Sequence, residues 1–476
     1  MNNSQVTKNN YKVGIIGAGP AGLTAGYLLA KEGADVTIFE ASDVVGGLAR
    51  SFDLWNQRVD VGPHRFFSKD PYVNKLWKEA LDDDYVLVDR LTRIYYDKKF
   101  FNYPLKIFNV LTVLGPIESI KVVISYIKQK LFPIKEEDTL ESWVVSRFGR
   151  RLFDIYFKSY NEKLWGIKCN EIDSDFVAQR ISNLSFTEAL KNAITGSRKA
   201  KTLVDQFFYP KNGAGEVYTR MAQKIKDNGG TILLEKPVKR VIKTNNKANG
   251  VETIDGNEYK FDYVISTMPL TLMVKALEDV PSTVMDNVNK LKFRSAILVY
   301  LRINSDQLFP DQWVYMHARD LKMGRVTNFR NWAPTLYGEE MDSILTLEYW
   351  CNPDDEFWNK SDEELSELAS REIVESGLLK NEKVLDTYVY RIKRCYPIYS
   401  KGYKSYLKPV QDYLDTIEGL MPIGRDGSFK YNNQDHSILM GMRAADNILN
   451  NKDNSLWEIN TDYEYQENAE ISKLTE

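Results

Sequence analysis

One hexapeptide constrains this chain more than any other feature. Gly17-Ala18-Gly19-Pro20-Ala21-Gly22 follows the Val/Ile-rich run 12–16 and opens an Ala/Leu-rich helix from about Pro20 to Glu32. Strand, glycine turn and helix in that order begin a βαβ unit that holds a dinucleotide. Gly17 permits the tight turn. Gly19 removes the side chain where a pyrophosphate approaches, and Gly22 lets helix and strand pack closely. The helix N-terminus then offers N–H groups and the positive end of its dipole to the phosphates. A second strand, 35–40, ends on Glu40, whose carboxylate suits the ribose hydroxyls and would repel a 2′-phosphate. The site reads as one for a dinucleotide other than NADP.

The remaining composition narrows the classes. At 476 residues the chain holds roughly three domains' worth of sequence. Its 63 Lys+Arg against 66 Asp+Glu leave a net charge of −3, which argues against a nucleic-acid partner. A hydrophobic content of 43% supplies a large core and excludes global disorder. Cys169, Cys351 and Cys395 are far apart, and His64, His317 and His436 make no HxxxH pair. Neither a disulfide framework nor a zinc spacing results, so no metal site is expected. The polar residues 1–10 are no signal peptide. The apolar stretch 108–131 is broken by Glu118, Lys121, Lys128 and Lys130, short of the ~20 uncharged residues a bilayer span needs. The expected setting is a reducing cytoplasm, with oligomerisation left open.

Along the chain, strands are expected near 231–234, 238–243, 263–266, 296–303 and 343–350, and a last helix near 435–450. Apolar spacing of three and four makes 104–190 mostly helical, with Pro133 as a break and Asp138 or Thr139 as the next cap. The expected architecture is α/β. A Rossmann-like dinucleotide domain (1–100, 205–285 and 405–476) would carry an inserted helical domain (101–204) and an inserted antiparallel-sheet domain (286–404).

Glu40 is followed by Gly46-Gly47-Leu48-Ala49-Arg50. This Glu-x₅-GG-x₂-R pattern resembles the FAD proteins that include amine oxidases, protoporphyrinogen oxidase and UDP-galactopyranose mutase. In that group the glycine pair passes the flavin phosphates, the arginine lies near them, and Val238 stands where the adenine is met. Further segments resemble the UDP-galactopyranose mutases, in their eukaryotic-type branch. They are Asp60-Val61-Gly62-Pro63-His64, Phe101-Asn102-Tyr103-Pro104, Tyr160-Asn161 with Trp165, Arg180, Tyr315 with Arg325, Tyr396-Pro397, Gly424-Arg425, Tyr431, and Asn433-Gln434-Asp435. Asp426 departs from the pattern, standing where an aromatic is more usual.

The resemblance implies an isomerase that interconverts pyranose and furanose forms of a nucleotide sugar, UDP-galactose first among them, for cell-surface polysaccharide. It implies reduced FAD, with NAD(P)H as reductant, and a covalent flavin N5–sugar intermediate. Arg180 and Arg325, the latter on a mobile loop, would grip the diphosphate. Tyr103, Tyr315, Tyr396 and Tyr431 would place hydroxyls on phosphate oxygens. Asn161, Trp165 and Arg425 would line the sugar site, and His64 would face the flavin. A flavin oxidoreductase of the amine oxidase, porphyrinogen oxidase or desaturase type shares the N-terminal motifs and stays open. The arginine pair and the Asn433-Gln434-Asp435 segment favour the mutase.

Overall fold

The computed structural model describes residues 11–104, 107–177 and 205–460. Three sheets organise it. The first is a five-stranded parallel sheet in the order Leu420–Pro422, Tyr263–Ser266, Lys12–Ile16, Asp35–Phe39, Thr231–Leu233. Val13, Ile15, Val36 and Ile38 are wholly buried there, as the continuous apolar runs of a sheet covered on both faces require. The Pro20–Lys31 helix packs on the Gln434–Asn450 helix, and Gly441 makes the close approach possible: a Cβ there would stand 2.5 Å from the Ala21 carbonyl oxygen. The last helix starts at Gln434, where Asn433 caps it and His436 bonds back to the Asn433 N–H.

The largest sheet has seven strands, in the order Val384–Pro397, Phe293–Ile303, Ser343–Cys351, Arg325–Asn328, Trp313–Met316, Thr92–Tyr96, Lys99–Asn102. Its pairs are antiparallel apart from Trp313–Met316 beside Thr92–Tyr96, which run parallel. The sheet is therefore mixed, and the 92–102 hairpin crosses the boundary drawn at residue 100. Tyr95 packs there against Val314 and the core of the large sheet, so burial, rather than sequence proximity to the parallel sheet, decides its place. A three-stranded antiparallel sheet, Val238–Thr244, Lys247–Thr253 and Glu258–Lys260, flanks the parallel one.

Five helices follow the Lys99–Asn102 strand in the chain and pack against the large sheet: Ile107–Leu114, Pro116–Leu131, Leu140–Phe148, Arg150–Tyr156 and Lys158–Trp165. Thr139 caps the third, its hydroxyl accepting from the Ser142 N–H at 3.2 Å. Val144, Phe153 and Trp165 join one core with Phe101 of the large sheet. That shared core fixes the helices against the sheet, and the gap left between them is the site.

Candidate functional site

The site is built by strand register. Reading across the seven-stranded sheet, Ile94 pairs with Tyr315, Tyr315 with Arg325, Arg325 with Glu348, Glu348 with Leu298, and Leu298 with Tyr390. Directly opposed residues share a face. All six line a cavity of about 1010 Å³ that reaches from this sheet to the glycine turns of the parallel sheet. That is at or above the upper end of the ~300–1,000 Å³ range of ordinary ligand pockets.

At the parallel-sheet end, Gly17, Gly19, Gly47, Leu48, Arg50, Glu40 and Val238 line the cavity. Gly22 and Gly46 stand behind it. Gly46, at φ 103°, donates its N–H to the Ala18 carbonyl at 2.7 Å, clasping the two glycine turns together. Glu40 accepts from the Ala18 N–H at 2.8 Å and from both the N–H and hydroxyl of Ser42 at 2.9 Å. Three of its roughly four acceptor positions are used, leaving about one for a ribose hydroxyl. Arg50 bonds the Tyr390 hydroxyl, tying this end to the far sheet. Asn433 and Gln434, at the start of the last helix, close the wall.

At the far end, Arg325 meets Glu348 through Nε–Oε1 and Nη2–Oε2, each 2.6 Å. Burial works against the guanidinium charge, but Glu348 overrides it and holds Arg325 ionised. One edge of the fork is occupied and Nη1 is left for a ligand. Tyr315 lies beside it, with Tyr103 at 5.1 Å and Tyr160 at 5.4 Å between ring centres. Burial raises the Tyr160 and Tyr396 hydroxyls above the ordinary phenol range, so both stay protonated donors. Arg425 lies 4.7 Å from the Tyr396 ring and 4.2 Å from the Tyr431 ring. It also donates to the Cys395 and Asn432 carbonyls, so it positions those two tyrosines. Asn161 lines the cavity while its amide donates to the Phe157 carbonyl at 2.8 Å.

His64 sits where both ends meet. Its Nδ1 lies 3.1 Å from the Gly62 carbonyl oxygen. Burial, then Arg425 and Arg325, push the imidazole down to about 4, so it is neutral at physiological pH. Its loop is anchored by Asp60, which accepts from Ser51, Ala214 and Tyr209.

Two expectations change and a third is not reached by the described residues. Arg325 is not on a mobile loop: it pairs with strands on both sides in the interior of the large sheet. Trp165 does not line the cavity; it is fully buried, packed on Phe176 and Tyr399, behind Tyr396 and Tyr431. Arg180 lies outside the described residues. Conversely, Glu348, His317 and Asp426 face the cavity unforeseen. Glu348 had a signal: it is the lone charged residue in the otherwise apolar or neutral strand Ser343–Cys351. His317 stacks on Tyr160 at 4.8 Å, a contact no spacing in sequence reveals.

The sequence profile of flavin-containing amine oxidoreductases matches residues 20–449. The chain belongs to that family. Among curated relatives, coproporphyrinogen III oxidase of Staphylococcus aureus is 22% identical over 468 residues, 92% of this chain and 98% of that protein. A probable UDP-galactopyranose mutase of Klebsiella pneumoniae is 26% identical over 179 residues, 36% of this chain and 44% of that one. Among solved structures, a crystal structure of reduced UDP-galactopyranose mutase superimposes with a TM-score of 0.82 at 22% identity, covering 94% of this chain and 97% of the other. A protoporphyrinogen oxidase-like structure from Exiguobacterium gives 0.72 at 17% identity, covering 93% and 99%.

Flavin-containing amine oxidoreductases carry FAD, and FAD is the cofactor here. The cavity fits it on its own terms. The Pro20–Lys31 helix has no side-chain cap, so its first N–H groups are open to phosphates. At Gly19 an added Cβ would meet nothing nearer than Gly47 at 3.9 Å, so that space is left for a ligand. Gly17, Gly19, Gly47 and Arg50 would hold the pyrophosphate, Glu40 a ribose, and Val238 the adenine; His64 and Gln434 would stand at the ring-bearing end.

Proposed function

We propose that this flavoenzyme is a nucleotide-sugar mutase interconverting pyranose and furanose forms, with UDP-galactose as first substrate. The observation that carries the reading is the far end of the cavity: an ionised, half-buried arginine, Arg325, inside a wall of Tyr103, Tyr160, Tyr315, Tyr396 and Tyr431. Phenol donors around a guanidinium suit phosphate oxygens. The two cations Arg325 and Arg425 face the Glu348 carboxylate and an Asp426 carboxyl that burial pushes up to about 7, an arrangement that disfavours an ammonium substrate. When bound and reduced by NAD(P)H, the flavin would supply an electron-rich N5 nucleophile. The chain's own part is to bind and to stabilise a leaving group. Arg325 Nη1 would meet the diphosphate and take up charge as its bond to the sugar breaks. The tyrosine hydroxyls would donate to the same oxygens, and their rings would keep water from the anomeric carbon. Neutral His64 would donate or accept one hydrogen bond at the ring end without adding charge. Arg180 would supply the second guanidinium. The setting would be the cytoplasm.

The test is anaerobic reduction with dithionite, addition of UDP-galactopyranose, and chromatography for the furanose. Furanose formed without net oxidant consumption supports the mutase. Oxygen consumption with a porphyrinogen or an amine, and no isomerised sugar, assigns the chain to the oxidases instead. Arg325→Ala should lower kcat by about 10²–10³-fold, the usual loss for one charge-stabilising donor, while the yellow flavin stays bound. Arg325→Lys, which keeps the charge beside Glu348 but loses the fork, separates this effect from misfolding.

A further inference from the structure

The Pro116–Leu131 helix has an outward face that a helix already docked on its core should not have. Its inner face is accounted for by Val122, fully buried, and Tyr126, packed against the core. On the outside, Ile117 is 71% exposed, Ile120 and Ile124 59%, Ile127 50% and Leu131 69%. These five recur at alternating steps of three and four, so with Val123 they form one stripe over an arc of roughly 120°. Phe132, 73% exposed, prolongs it past the helix end. Lys121 and Lys128 border one edge of the stripe and Lys130 the other. The helix has a single acid, Glu118, and it is turned away and engaged by Lys121 at 2.6 Å and by Arg151.

We propose that this helix docks in the plane of an anionic lipid surface, its isoleucine stripe in the acyl boundary and its lysines at the head groups. An apolar face bordered by cations is the arrangement such helices use. Charge separates this occupant from a second copy of the chain. Another copy of the helix would bring the lysines no carboxylate, and in antiparallel pairing would set Lys121 against Lys128 of its mate. Lys121 already has Glu118 beside it, and anionic head groups supply the countercharge that the helix does not give Lys128 and Lys130. No helix among the described residues is long and apolar enough to cross a membrane, so docking lies along the surface. The inference does not depend on which reaction the flavin site performs.

The test is co-sedimentation of the full-length holoprotein with vesicles of phosphatidylcholine alone or mixed with phosphatidylglycerol. Binding is expected to the mixed vesicles and to weaken with salt. It should be lost in Ile120→Asp/Ile124→Asp, and fall roughly fivefold for each Lys→Gln at 121, 128 and 130. These positions are exposed, so the variants fold, and retained flavin absorbance checks it. No binding to the mixed vesicles overturns the proposal. So does a stable wild-type dimer, seen by light scattering, that Ile124→Asp splits into monomers.

Discussion

Glu348 and Arg325 neutralise each other in the cavity wall, their side chains 3% and 16% exposed, and this makes each the other's hostage. A buried pair adds little net stability, but removing one partner strands a charge, at a cost of about 3–5 kcal/mol. Glu348→Ala should therefore destabilise by that amount in chemical unfolding, whereas Glu348→Gln, which keeps a hydrogen bond to Arg325, should lose less. Equal losses would show the pair is not electrostatically closed. Asp426 gives a pH-dependent counterpart. Burial pushes its carboxyl up to about 7, against the pull of Arg425 and Arg394, and Oδ1 has no partner among the described residues. A carboxyl raised on folding contributes stability that is fully present below its unfolded value near 4 and is lost as pH rises through about 7. His64 works in the opposite sense, its contribution present above about 6.5 and lost as pH falls through about 4. Asp426→Asn should thus flatten the decline in unfolding free energy between about pH 4 and 7. An unchanged slope would mean that the carboxyl ionises freely in the fold.

The glycine turns show how far an element can be read from its sequence. Gly17, Gly19 and Gly22 follow a motif whose three roles differ, and the structure separates them. A Cβ on Gly17 would sit 2.1 Å from the Thr267 hydroxyl, and one on Gly22 2.1 Å from the Gly17 carbonyl, whereas one on Gly19 points into open cavity. Gly19 is also extended, at φ −84° and ψ −176°, a conformation alanine adopts freely. Gly19→Ala should leave apoprotein stability within about 0.5 kcal/mol of wild type while weakening FAD binding at least about tenfold, and Gly22→Ala should damage both. Denaturant curves of the apoprotein and flavin absorbance after desalting read the two effects independently. Local chemistry of this kind is legible because it operates over a few residues. The same holds for the Thr139 cap, the strands expected near 296–303 and 343–350, and the last helix expected near 435, which the structure starts at Gln434. What sequence did not disclose is register across distant strands. Arg325 looked like a loop residue because its partners, Tyr315 and Glu348, lie ten and twenty-three positions away and become its neighbours only when the sheet forms. Trp165 failed for the reverse reason. Aromatic residues at helical spacing serve core and site alike, and here Phe176 and Tyr399 enclose it.

At the scale of the molecule, one cavity joins two sheets that share no strand. Its walls come from the parallel sheet at Gly17 and Glu40 and from the seven-stranded sheet at Tyr315, Arg325 and Glu348, and the Arg50–Tyr390 bond crosses between them. A ligand bound only by one half would stabilise that half. FAD seated along this cavity should couple both, because its binding free energy, about 2.7 kcal/mol at a hundredfold excess over Kd, is available only when both walls are in place. Hydrogen exchange of apo and FAD-loaded protein therefore distinguishes the two cases. Protection should rise in Lys12–Ile16 and in Arg325–Asn328 together, and by similar factors, since opening either wall releases the same ligand. Arg50→Met, which removes the crossing bond while retaining a side chain of similar length, should lower protection of the large sheet more than that of the parallel one. Protection confined to the parallel sheet in the wild type would mean that the flavin stops short of the Arg325 row. The tyrosine wall would then lie out of reach of the cofactor, and the leaving-group role given to Arg325 would have no partner to act with.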